Sequence, residues 1–161
     1  MTINGNPATI ILLTLRKAPK MAYVSQEMKA KLAPTIKSIL KKYGLKGTLA
    51  VRNHSTLVLN IKSGKIDFVE NYIATDLAKP HAGKMSADQI AYVRKTQCLD
   101  VNTYWAHEHY SGKAKEVLVK LIAAMKGPDF FDHTDAQIDY FNCSHYISIN
   151  IGKWNKPYTV E

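Results

Sequence analysis

Residues 48–64, TLAVRNHSTLVLNIKSG, decide the fold class. Leu49 and Val51 alternate with Ala50 and Arg52, and Leu57, Leu59 and Ile61 alternate with Val58 and Asn60. A period of two sends successive side chains to opposite faces of a strand. Between the two runs, Asn53-His54-Ser55 is turn chemistry. The stretch therefore reads as a β-hairpin with one apolar face turned inward.

Helical patterns surround this hairpin. In residues 25–44, SQEMKAKLAPTIKSILKKYG, the residues Met28, Leu32, Ile36, Ile39, Leu40 and Tyr43 recur at helical spacing. Ser25 is placed to cap the start and Gly44 follows the end. Pro34 falls inside this helix and predicts a kink or a restart. After the hairpin, Ile66, Val69 and Ile73 mark another helix, and Ser86 opens a short one over SADQIAYVRKT. LDVNTYW, residues 99–105, alternates strictly: Leu99, Val101, Thr103 and Trp105 against Asp100, Asn102 and Tyr104. It reads as a third strand. Residues 111–127 form a second long helix, with Val117, Leu118, Leu121, Ile122 and Met125 as its stripe. Ser111 is its expected cap and Gly127 its stop. A turn-rich loop, PDFFDHTDAQIDYFN, leads to a last strand in HYISINIGKW and a tail, NKPYTVE. Strands broken by helices in this order indicate an α+β fold. The expected architecture is an about four-stranded, mostly antiparallel sheet with two long helices packed on its apolar face.

The 161 residues fit one domain, and their composition is that of an ordinary globular protein. There is no apolar run long enough to span a membrane. Residues 1–20 carry a short apolar run, Ala8 to Leu15, with Arg16, Lys17 and Lys20 after it. A secretion signal has the opposite charge order. These residues read as an extension, either a leader or an added strand, preceding a single domain over 21–161. Cys98 and Cys143 form no Cys-x-x-Cys pair, and read as small apolar residues in a reducing cytoplasm. Lys and Arg number 22 against 13 Asp and Glu, a net charge of +9. Such an excess favours polyanionic partners.

Four clusters are candidates for function. His107 and His109 flank Glu108, and in an extended chain the two rings share one side. With His133 they are metal candidates only if the fold unites them; otherwise the stretch is a turn ahead of the helix capped by Ser111. Asp129, Asp132, Asp135 and Asp139 form an acidic loop without the calcium-loop pattern. No nucleophile signature or phosphate loop is present, so nothing nominates an enzyme and no cofactor is expected. The outward face of the sheet is the third cluster: Arg52, Asn60, Asn102, Tyr104, Tyr146 and Asn150, with Lys62 and Lys153 at strand ends. Tyrosines for stacking, Asn for base edges and cations for phosphate suit a platform for single-stranded RNA or DNA. The fourth is GKWNKPYTV, where Trp154 and Tyr158 among lysines suit a protein partner.

Taken together, VRNHSTLVLNIKSGKIDF, LDVNTYW followed by YSGKAKEVL, HTDAQIDYF and YISINIGKWNKPY resemble a family of small, uncharacterised bacteriophage and mobile-element proteins. That family is similar to one of the large polyvalent protein-associated domains. The resemblance covers residues 21 to 159. It carries over no functional residues. It implies a phage or mobile-element product in the bacterial host cytoplasm, either a nucleic-acid accessory protein or a protein that disables a host factor. The sequence thus predicts a phage-encoded protein binding single-stranded nucleic acid on an open sheet face. The alternatives are an inhibitor or adaptor of a host defence protein, and a metal-dependent nuclease.

Overall fold

The computed structural model describes residues 21–80 and 84–161. The expected leader or added strand in residues 1–20 lies outside them. Helix α1 (Gln26–Lys42) leads into β1 (Leu45–Arg52) and β2 (Thr56–Gly64), then α2 (Phe68–Leu77) and α3 (Ala87–Thr96). Strand β3 (Leu99–Val101) and the single turn α4 (Ala106–His109) precede α5 (Gly112–Lys126). Strands β4 (Tyr146–Ile151) and β5 (Thr159–Val160) close the chain.

Local chemistry accounts for most boundaries. The Ser25 hydroxyl accepts the Met28 N–H at 3.0 Å and starts α1. Ser86 and Gln89 form a reciprocal capping box at α3. Asn53 and His54 both take positive φ in the three-residue loop between β1 and β2, at the centre of a turn that the Ser55 N–H closes on the Arg52 carbonyl at 3.3 Å. Helix α1 runs through Pro34 without restarting. Pro34 and Ala30, whose carbonyl loses its helical donor, are both exposed, so water can take the freed acceptor.

The class is α+β, and the sheet is mixed, with five strands in the order β1-β2-β4-β3 and β5 beside the end of β2. β1 pairs antiparallel with β2, and β3 with β4, but against the expected mostly antiparallel order the centre is parallel: β2 lies parallel to β4 from Thr56↔Tyr146 to Ile61↔Ile151. Alternation within a strand sets its faces but not its neighbour or direction, which depend on the long crossover between β2 and β4. Leu57, Leu59, Ile61, Ile149 and Ile151 are fully buried in one cluster with Ile36 and Leu40 of α1 and Val117, Leu118, Leu121 and Met125 of α5.

Two further expectations change. The third strand stops at Val101, because the Asn102 carboxamide accepts the Tyr104 and Trp105 N–H groups at 3.1 and 3.3 Å and turns the chain into α4. Ser111 stands at the cap position of α5, but its hydroxyl makes no cap bond. It accepts instead from Asn71 Nδ2 and Thr75 Oγ1, pinning α5 to α2.

The loop from 128 to 145 is held by its own ladder, with bridges Asp132↔Cys143 and Asp135↔Tyr140. His145 at its end is buried. Its Nε2 bonds the Met125 carbonyl at 2.9 Å, and its Nδ1 lies 3.1 Å from the Ser144 hydroxyl. Burial holds the His145 ring below its ordinary pKa. No helix among the described residues is long and apolar enough to cross a membrane.

Candidate binding groove on the open sheet face

Strand register arranges the outward residues in rows. One row is Arg52, Thr56 and Tyr146; the next is Ala50, Val58 and Ser148; the third is Thr48, Asn60, Asn150 and Asp100. Around the last two rows the face deepens into a groove of about 420 Å³, lined also by Arg52, Lys153 and Trp154. A smaller recess of about 100 Å³ adjoins it, lined by Thr48, Asn60, Lys62, Lys153 and Lys156.

A tight hairpin after β4 carries the rim. Lys153 N–H donates to the Lys156 carbonyl at 2.8 Å, and Lys156 N–H donates back at 3.0 Å, which leaves Trp154 and Asn155 at the tip. The chain enters this hairpin through Gly152 at φ +68°, where a Cβ would lie 2.3 Å from the Gln97 carbonyl oxygen. Only glycine permits that approach. Trp154 ends 77% exposed.

The floor is polar. Asn150 Nδ2 donates to Asn60 Oδ1 at 3.0 Å, and Asn60 is only 6% exposed. Arg52, Lys62, Lys153 and Lys156 take part in none of the ion pairs among the described residues. Asp100 is the one carboxylate lining the groove. The local field is therefore positive, with an aromatic ring and amide groups inside it.

The expected site residues divide. Arg52, Asn60, Asn150 and Lys153 meet in the groove, and Lys62 lies beside it. Tyr104 and Tyr146 line a separate cavity of about 130 Å³ with Asp132, Cys143 and His145. Because β3 ends early, Tyr104 stands on a turn rather than on the sheet, 74% exposed. The Cys143 thiol and Asp132 near Tyr146 raise its phenol pKa. Asn102 spends its carbonyl oxygen on the turn. In the tail, Trp154 and Tyr158 separate: Tyr158 is 3% exposed, its ring against Phe68 and its hydroxyl donating to the Ile66 carbonyl at 2.7 Å. Tyr158 is a core residue and offers no partner surface.

His107 and His109 do not share a side. They lie on the helical turn α4, where residues two apart point in nearly opposite directions. The His107 ring stacks on Trp105, and His109 meets the edge of Tyr72. Burial, and then Lys79, lowers the His109 pKa. His133 stacks on Phe131 in the distant loop. Among the described residues no three His, Cys, Asp or Glu side chains converge as metal ligands. The loop aspartates hold turns: Asp132 accepts the Thr134 N–H and Asp135 the Gln137 N–H. Cys143 is buried as expected, whereas Cys98 is half-buried at the groove.

The sequence pattern places Trp154 with Tyr158 in a protein-partner segment, GKWNKPYTV, rather than in this groove. The signal that was available is Gly152 followed by Lys-Trp-Asn-Lys, a glycine entry to a two-residue loop. No family model, curated protein or solved structure matches the chain.

Proposed function

We propose that the open sheet face binds single-stranded RNA or DNA. The phosphates follow Arg52, Lys62, Lys153 and Lys156, one base meets Trp154, and Tyr146 offers a second stacking position further along β4. The observation that carries this reading is the exposed Trp154 at the tip of a hydrogen-bonded hairpin, beside cations that form no ion pair among the described residues, over a floor that holds an amide pair. Aromatic faces stack on any base, and cations track the backbone, so this combination suits single strands. With the resemblance of its motifs to phage and mobile-element proteins, the chain reads as an accessory protein of such an element, working in the host cytoplasm.

Fluorescence anisotropy with labelled single- and double-stranded RNA and DNA, at low and physiological salt, tests this. The expected result is micromolar or tighter binding to single strands that survives physiological salt. Binding that vanishes with salt, or that ignores strand type, reduces the interaction to a generic lysine effect. A second reading, a host-protein partner anchored on Trp154, draws on the same exposed ring. Interface hot spots favour tryptophan. It predicts a one-to-one complex that survives nuclease treatment and is lost in Trp154→Ala.

A further inference from the structure

Asn60 is more than nine-tenths buried, yet nothing among the described residues bonds its Nδ2. Among these residues no fully enclosed side-chain nitrogen or oxygen lacks a partner, so this nitrogen opens to the open face, where Asn60 lines both the groove and the adjoining recess. Its Oδ1 is taken by Asn150 Nδ2, and Asn150 Oδ1 in turn has no partner among the described residues. The linked pair therefore offers a spare donor on Asn60 and a spare acceptor on Asn150, two neighbouring residues that both line the groove. Flipping both amides keeps the bond between them and exchanges donor and acceptor. A buried amide with a spare donor is costly unless a ligand or water completes it.

Trp154 and this amide pair share one groove of about 420 Å³. We infer that the groove receives a single unstacked nucleobase, its face on Trp154 and its hydrogen-bonding edge on the Asn60–Asn150 pair. The inference rests on the nucleic-acid reading above and adds to it what is read: a base edge with a donor next to an acceptor. Adenine, with its exocyclic amino group beside a ring nitrogen, has such an edge. Purine, lacking the amino group, offers acceptors only and leaves one amide oxygen unpaired in the complex.

The test uses the unaltered protein and three short oligonucleotides: one adenine flanked by abasic sugars, one purine in the same place, and a fully abasic strand. Adenine is expected to bind roughly 5- to 150-fold tighter than purine, the range of a good two-point base contact, and purine tighter than the abasic strand. Asn60→Asp, which keeps the shape and removes the donor, is expected to weaken adenine and purine alike, because the ring nitrogen that the donor meets is common to both, and to keep adenine the tighter of the two. Equal affinity for adenine and purine, both above the abasic strand, overturns the edge contact and leaves stacking alone. Equal affinity for all three overturns base recognition, while backbone binding and the proposed function stand. If these strands and ordinary base-containing oligonucleotides all fail to bind, the proposed function falls as well. Because the ligand series needs no mutant, a poorly folded Asn60→Asp leaves the test intact.

Discussion

On one side of β2, Leu57, Leu59 and Ile61 are fully buried; on the other, Val58 and Asn60 are almost as deeply placed. Solvent exposure therefore does not separate core from candidate site in this strand. What separates them is chemistry. Leu57, Leu59 and Ile61 belong to one buried apolar cluster that also takes in residues of β4, α1 and α5. The Asn60 side sets an amide pair, cations and an exposed indole among the apolar Ala50, Val58 and Leu99, arranged around open volume. A face that is merely covered packs its apolar groups and pairs its polar ones. The open face leaves Asn60 Nδ2 and Asn150 Oδ1 without partners among the described residues.

The comparison is broken most forcefully from the core side. Leu59→Ala is expected to cost about 2–5 kcal/mol of stability, the range for emptying a packed leucine site. Asn60→Ala, one residue away, is expected to cost about 1 kcal/mol, the worth of one ordinary hydrogen bond. Urea denaturation of both variants measures the contrast. Comparable losses would mean that both faces are core. Acid strains the core side by a second route. His145 is neutral in the folded state because burial lowers its pKa, so below the ordinary value of 6.5 the unfolded chain binds the extra proton. Stability is complete above that value and drains as pH falls through it. The urea midpoint at pH 5 is expected below that at pH 7.5, and a flat profile would show His145 to be indifferent to its surroundings.

On the open face the largest expected effect is on binding. Trp154→Ala should weaken single-strand affinity by about 1–3 kcal/mol and leave stability within about 0.5 kcal/mol, as for an exposed substitution away from the core. Anisotropy and thermal denaturation on one preparation separate the two. Loss of fold with loss of binding would make Trp154 structural. Unchanged affinity would move the interface elsewhere.

The core face was legible because its signal is local. Alternation in 57–61 and 147–151, and the helical stripes of 28–43 and 117–125, name the buried residues without knowledge of pairing. The groove was half legible for the opposite reason. Arg52, Asn60, Asn150 and Lys153 follow from alternation once β2 and β4 adjoin, but their adjacency is a parallel pairing across some 90 residues. Tyr104 was misplaced because the Thr103–Trp105 segment keeps strand periodicity while the Asn102 side chain, hydrogen-bonded two and three residues ahead, has already turned the chain. Trp154 and Tyr158 look alike in a tail four residues apart, and only the Gly152 turn sends one to the rim and the other beneath Phe68.

The smallest expected effect sharpens the comparison within the open face itself. Tyr146 stands four residues before Asn150 on β4, about 13 Å at strand spacing. One nucleotide seated at Trp154 does not reach that far, whereas a strand following Arg52 toward the Thr56–Tyr146 row does. Tyr146→Ala should therefore leave mononucleotide affinity unchanged and weaken longer oligonucleotides by about 1 kcal/mol, the lower end of base stacking. Trp154→Ala should weaken both. A length series on the two variants reads the difference directly. If Tyr146→Ala acts equally at every length, the two cavities work as one site. If it acts at none, the strand leaves the sheet before Arg52 and the footprint is confined to the Trp154 hairpin.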